Sequence, residues 1–287
     1  MDGWSTEALL PRSSAPDPRW TREAGGLNLA VPASRAELMG CSFDRVTIEE
    51  VAERAVAWCS GDRRAHTVVT LNAAQLVAMR RDPELARACR AGDLVVADGV
   101  PVLWAARLAG AALPGRVAGV DLMPRLVAAA AERGLPVFFL GAREEVVRAL
   151  VARCEALHPG LRVAGFRNGY FGPDDGPAVI EQIRRSGAAM LFVGMPSPFK
   201  EIWCERHRDA LGVPVILGVG GSFDVLAGFI RRAPAWMQRS GLEWLWRLAM
   251  EPRRLFARYL VTNSVFLAGT AALALRRLAG PRRAAAR

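Results

Sequence analysis

The chain reads as an α/β protein: a Rossmann-like, mostly parallel sheet flanked by helices, with a C-terminal helical appendage. Three observations predict this. Short apolar runs recur between residues 66 and 220 and alternate with helical patterns. The runs are continuous and do not alternate in and out, so their residues must be buried on both faces of a parallel sheet. After Ile230 the composition changes: residues 231–287 hold 12 arginines against two acids, Glu243 and Glu251.

The elements follow in order. Residues 1–38 are rich in Pro, Ser, Arg and Gly without sustained periodicity, which predicts a disordered N-terminal segment. The α/β core is expected over 39–230. TIEEVAERAVAWC (47–59) is amphipathic, with Thr47 as N-cap and Glu50 completing a capping box. HTVVTLN (66–72) is a strand leading into a helix from Ala73, and DLVVAD (93–98) a strand leading into a helix from about Pro101. A further helix starts near Asp121. PVFFLG (136–141) precedes a helix over 143–157, and RVAGF (162–166) is a short strand. AAMLFVG (188–194) and PVILGVG (214–220) are strands followed by helices over 198–211 and 222–230. The appendage, 231–287, is helical over 234–258, punctuated by Pro234 and Pro252. Tyr259 to Leu275 then carries no charge for 17 residues. At ~1.5 Å per residue that run spans about 25 Å, just short of a bilayer's ~30 Å core.

At 287 residues and 52% apolar, the chain can bury a large core. Its net charge of +10 equals that of residues 231–287, so the body is neutral. A neutral body with one cationic, tryptophan-bearing end suits docking on an anionic surface. Arginine outnumbers lysine 37 to 1, a compositional bias that makes the lone Lys200 conspicuous. Five scattered cysteines without a CxxC, and three histidines without ligand spacing, predict reduced thiols and no metal site. The acidic, apolar-poor N-terminus does not read as a signal peptide.

In open parallel sheets, ligands bind beyond the carboxyl ends of the strands. The residues there are Thr70, Asn72, Asp98, Gly99, Gly141, Gly194, Gly220 and Gly221. Asp98 could deprotonate a hydroxyl, bind a metal or ribose, or cap the following helix. Asn72 could orient a substrate hydroxyl or cap the helix from Ala73. The glycines allow close approach of a phosphate to helix N-termini, or serve tight turns. Arg116, in a Gly- and Pro-rich loop, could clamp a diphosphate or lie exposed. No GxGxxG or GxxxxGK[ST] is present, so neither a dinucleotide fingerprint nor a P-loop is supported, and no DxD metal motif lies between a strand and a helix. Asp174-Asp175, in the turn-like GPDDGP, reads as solvated.

Several runs resemble, in order, one family over roughly residues 40–266. They are TLNAAQLV (70–77), LVVADGVPVLWAAR (94–107), RVAGVDLMPRL (116–126), VFFLG (137–141), FRNGYFGPDD (166–175), and GVGGSFDVLAG with the arginine- and tryptophan-rich segment after it. The family is the WecG/TagA/CpsF family of bacterial glycosyltransferases. The resemblance implies an inverting, metal-independent transfer from a UDP-sugar, with no cofactor. The sugar would be N-acetylmannosamine, its uronic acid or a related hexose. The acceptor would be a sugar on undecaprenyl diphosphate, in cell-surface polysaccharide or teichoic acid synthesis. By motif, Asp98 matches the general base, Thr70 and Asn72 line the site, and Arg116 lies near the diphosphate. The tail matches an appendage that docks on the membrane and completes the site, through Arg231, Arg232, Trp236, Arg239, Trp244, Trp246, Arg247, Arg253, Arg254 and Arg258.

One departure stands out. The family usually reads GxPxQE, and GMPSPFKEIW (194–203) puts Lys200 where glutamine is usual, with Glu201 and Trp203 in place. Lys200 could contact a diphosphate or an acidic sugar, or pair with Glu201 or Glu205. The implied partners are the donor, the lipid-linked acceptor and an anionic membrane surface, with no nucleic acid. A homo-oligomer is compatible with the sequence. The implied location is peripheral, on the cytoplasmic face of the inner membrane, with a transmembrane C-terminus as the other option. The rivals are a non-catalytic, membrane-associated nucleotide-binding protein and a nucleotide-dependent oxidoreductase. The second should show a glycine fingerprint after its first strand, which TLNAAQ lacks.

Overall fold

The computed structural model describes residues 34–61, 64–250 and 252–278, without the side chains of Arg254, Leu255, Ala257, Arg258, Arg276 and Leu278. Six strands form one parallel sheet: β3 (His66–Leu71), β4 (Leu94–Ala97), β5 (Pro136–Gly141), β6 (Arg162–Arg167), β7 (Met190–Gly194) and β8 (Val215–Gly218). Their order is β4-β3-β8-β7-β5-β6. Every neighbouring pair is parallel. The fully buried runs of β4, β5 and β7 explain the lack of alternation, because helices cover both faces.

On one face α8 (Phe199–Leu211) packs against β3 and β8, with α3 (Pro83–Arg90) and α7 (Gly176–Ser186) beside it. On the other, α5 (Gly119–Arg133) packs against β5 and β8, with α1 (Ile48–Cys59), α6 (Glu144–Leu157) and α9 (Ser222–Leu226) around it. The capping box of α1 forms as the sequence predicts: Thr47 Oγ1 accepts from Glu50 N at 3.2 Å, and Glu50 Oε2 accepts from Thr47 N at 2.8 Å. Connections leaving β5 and β7 run in opposite directions, to β6 and to β8. This reversal opens a crevice at their carboxyl ends.

Three expectations need correction. Residues 35–38, placed in the disordered segment, are β1 (Arg35–Leu38), which pairs with β2 (Cys41–Asp44) as a hairpin. The hairpin shields the sheet edge at β4: buried Asp44 accepts from Val95 N at 2.8 Å and from Arg35 Nε at 2.9 Å. The rest of that segment, 1–33, lies outside the described residues. The helix expected over 222–230 stops at Leu226. The helix from Ala73 forms, as α2 (Ala73–Ala78), and α3 follows as a separate helix capped by Asp82. The stretch 234–258 is not one pattern but α10 (Ala235–Arg239), α11 (Glu243–Met250) and the start of α12 (Pro252–Leu278).

The uncharged run Tyr259–Leu275 is therefore the middle of a 27-residue helix that starts on a proline. Part of α12 is committed to the protein. Phe266 is 4% exposed and joins the cluster formed by the hairpin, α2, α3 and α4 (Val100–Ala109). Arg277 Nη1 donates to the carbonyls of Arg107 and Leu108 at the end of α4, at 3.3 Å each. Among the described residues, no helix is long and apolar enough to cross a membrane.

Candidate active site

Asp98 sits one residue past β4, and its backbone N donates to Leu71 O at 2.8 Å. It does not cap α4. That position belongs to Gly99, whose φ of +117° an L side chain rarely adopts, and no side chain caps the helix. The Asp98 carboxylate makes no hydrogen bond among the described residues and is half-buried at the carboxyl end of β4. Burial raises it from the ordinary 3.8 to about 6, against the pull of Arg116, Arg247 and Lys200 and with a push from Glu243.

Arg116 is neither exposed nor loose. Its Nη2 donates to Asp121 at 2.6 Å and its Nη1 to Glu243 at 2.9 Å. Arg232 grips Asp121 with both terminal nitrogens, at 2.6 and 2.8 Å. All four side chains are less than a third exposed. Two arginines and two acids thus tie the loop before α5 to the appendage, beside Asp98. At least two of the guanidinium's five N–H donors on Arg116 are engaged, which leaves capacity for an anion. Neither Asp121 nor Glu243 was singled out in the sequence. The available signal was that Glu243 is one of two acids in a strongly cationic segment.

Asn72 caps α2: its Oδ1 accepts from Gln75 N at 3.1 Å, while Gln75 Oε1 accepts from Asn72 N at 2.9 Å. The Asn72 Nδ2 amide has no partner among the described residues, so capping and substrate contact are compatible. Thr70 is 4% exposed and its hydroxyl lies 3.5 Å from Gly218 O, turned toward β8.

The glycines divide by cause. A Cβ on Gly141 would lie 2.5 Å from the Gly194 backbone, and one on Gly194 would lie 2.6 Å from the Phe223 ring. Both serve close packing at the reversal between β5 and β7. Gly220 has a φ of +55°, and Gly221 precedes the short α9 with open space around it.

Lys200 takes the ion-pair alternative. Its Nζ lies 2.7 Å from Glu201 Oε1, and the two side chains are 7% and 3% exposed. With Glu201 it lines a small pocket between α8 and the sheet, beside Val69, Cys204 and Gly218. Burial alone would raise Glu201, but the Lys200 ammonium holds it below the ordinary carboxylate value.

The appendage side chains also sort. Trp236 is 59% exposed. Trp244 is half-buried, edge-on to Tyr259 at 6.0 Å, and Trp246 donates to Arg231 O at 3.1 Å. Arg231, Arg239, Arg247 and Arg253 are exposed, while the side chains of Arg254 and Arg258 lie outside the described residues. All five cysteines are free, with thiols pushed by burial to about 11 or 12. Among the described residues, no group of three or more His, Cys, Asp or Glu side chains could hold a metal ion.

The arrangement offers a half-buried, elevated carboxylate beside two guanidinium groups, at the carboxyl end of a parallel sheet. It can take a proton at one point and hold negative charge at another. The model of the family described as "Glycosyl transferase WecG/TagA/CpsF family" matches residues 36–280. The chain is also 31% identical over 194 residues to a Bacillus subtilis (strain 168) protein, N-acetylglucosaminyldiphosphoundecaprenol N-acetyl-beta-D-mannosaminyltransferase, which spans 67% of this chain and 75% of the relative.

Proposed function

The chain belongs to the WecG/TagA/CpsF family of glycosyltransferases, and on that premise we propose that it moves N-acetylmannosamine from a UDP-sugar to N-acetylglucosamine on undecaprenyl diphosphate. The transfer inverts the anomeric centre and needs no metal.

The observation that carries this reading is the Asp98 carboxylate: half-buried at the carboxyl end of β4, unbonded among the described residues, and raised to about 6 by burial. A base of that strength is ionised at neutral pH yet more basic than a solvated aspartate. It takes the proton of the acceptor hydroxyl. The hydroxyl oxygen bonds to the anomeric carbon as the bond from that carbon to UDP breaks. The electron pair leaves on UDP, whose negative charge faces Arg116 and Arg247. Fixed cations at the point where charge develops do the work that a metal does in other transferases. Asn72 Nδ2 orients the reacting sugar from the neighbouring strand end.

The buried pairing of Lys200 with Glu201 favours an uncharged donor sugar over a uronic acid, because a protein carboxylate already balances the ammonium charge there. The lipid acceptor brings the protein to the cytoplasmic face of the membrane as a peripheral enzyme. Exposed Trp236, Phe256 and Leu260 meet the surface, and the arginines near them attract anionic lipid.

The test is direct. The protein is mixed with UDP-N-acetylmannosamine and N-acetylglucosaminyl diphosphoundecaprenol, and a lipid-linked disaccharide is sought by mass. Absence of product with this donor and with every other UDP-N-acetylhexosamine would sink the reading.

A further inference from the structure

A continuous path of contacts reaches the site from the protein interior. Lys200 and Glu201 stand in the first turn of α8, and both are buried. Glu201 Oε1 receives Lys200 Nζ at 2.7 Å and also accepts from Gln75 Nε2 at 2.6 Å. The other end of the Gln75 side chain accepts from Asn72 N, and Gln75 N donates to Asn72 Oδ1. Leu71, just before Asn72, accepts from Asp98 N. The ion pair, Gln75, Asn72 and Asp98 are thus linked without a gap.

Fold stability alone is a poor reason for this path. A buried ion pair seldom stabilises more than apolar residues of the same size. The chain also gives up a side chain to make room for it. A Cβ on Gly218, at the end of β8, would lie 2.8 Å from Lys200 Cδ and 3.2 Å from its Nζ. Glycine in a strand is itself a weakening choice. Two costly features converge on holding one carboxylate oxygen against Gln75.

We propose that Lys200 and Glu201 are positioning residues for the transfer reaction: their buried pair orients the Gln75 side chain, which holds the Asn72 backbone N and so sets the turn from which the Asn72 side chain reaches the carboxyl end of the sheet beside Asp98. The inference rests on the reading of Asp98 as base and Asn72 as a substrate contact. Lys200 acts here through its neighbours and not on the donor.

The experiment is a double-mutant cycle on the full-length protein with UDP-N-acetylmannosamine and the lipid-linked acceptor. Gln75→Met keeps the length of the side chain and removes both side-chain hydrogen bonds, leaving the bond from Gln75 N to Asn72 Oδ1. It should lower kcat by about 10- to 100-fold while KM for the UDP-sugar stays within about threefold. Adding Asn72→Ala should then cost little more, because the two residues act as a unit. Losses that simply multiply would overturn the proposal, since Gln75 would then act independently of Asn72. If Gln75→Met does not fold, Gly218→Ala gives a second route: it leaves all four path residues in the chain and only crowds the Lys200 stem. A folded Gly218→Ala protein should show the same kcat-selective loss, and an unchanged kcat would overturn the proposal. Asp98→Asn is measured in parallel. Full turnover by that variant removes the reading and the inference together. Loss of turnover in Asp98→Asn with multiplying losses in the cycle removes the inference alone.

Discussion

Replacing Asp98 by asparagine should damage activity and improve stability, and the two effects should share one pH dependence. The group titrates near 3.8 when solvated and at about 6 in the folded chain. That difference makes its ionised form roughly 3 kcal/mol costlier in the folded state than in the unfolded one. Below about pH 4 the carboxyl is protonated in both states, so the substitution should change stability little. Between about pH 4 and 6 the unfolded chain releases its proton first, and stability falls as pH rises. Above that window the whole cost is present, and Asp98→Asn, neutral and nearly isosteric, removes it. For a domain of this size the gain amounts to roughly 6–12 °C in Tm at pH 8, vanishing near pH 4. Turnover should fall about 10²- to 10⁴-fold with the base removed. In the parent, kcat/KM should rise through an apparent pKa of about 6. Calorimetry at pH 4 and pH 8, with a pH–rate profile, checks all of this. A variant less stable than the parent at pH 8 would show that Asp98 holds the fold. Activity within threefold of the parent would show that it is not the base.

Other outcomes follow from the same geometry. Turnover should survive EDTA, because cations of the protein face the departing charge; loss on chelation with recovery on adding Mg²⁺ or Mn²⁺ would contradict this. Arg116→Ala should raise KM for the UDP-sugar by about 10- to 100-fold, the worth of a charge-assisted hydrogen bond, and an unchanged KM would leave Arg116 as a mere tie between Asp121 and Glu243. Vesicles containing anionic lipid should bind the protein in flotation assays, less so as salt rises. Phe256→Ser with Leu260→Ser should weaken that binding without touching UDP affinity, and equal binding by parent and variant would move the docking surface elsewhere.

The sheet was legible because its physics is local. Runs such as VFFLG and LFVG are too apolar and too short for anything but strands buried on both faces, and their order with helices dictates a parallel sheet. Asp98 was legible for the same reason, since the end of a parallel strand is where ligands meet the protein. The hairpin over 35–44 was hidden: RAEL and CSFD are only four residues each, and Asp44 makes sense only once Val95 is beside it. The partners of Arg116 were hidden too. Asp121 is five residues away and reads as a helix start, and Glu243 is 127 residues away. Lys200 was visible as the only lysine, but its surroundings were not: they include a glycine at 218 and, through Glu201, a glutamine at 75, distant in sequence and unremarkable by composition.

The sequence suggested a cationic tail hung on a neutral body, and the packing argues for a tighter relation. Phe266 on α12 is buried with α2 and α4, and Arg277 closes the end of α4. Those two helices begin at Asn72 and just after Asp98. Glu243 and Arg232, from the same appendage, hold Arg116 and Asp121 beside the carboxylate. Phe256, Leu260 and Leu267 are more than half exposed and recur at i, i+4 and i+11, one line along α12. On the proposed reading, the line that meets lipid and the side chains that meet substrate are thus borne by one packed body. Deleting 231–287 would therefore not isolate an anchor: it would uncover Phe266's partners and release Arg116 in the same step. Surface substitutions along α12 separate membrane attachment from catalysis, and truncation does not.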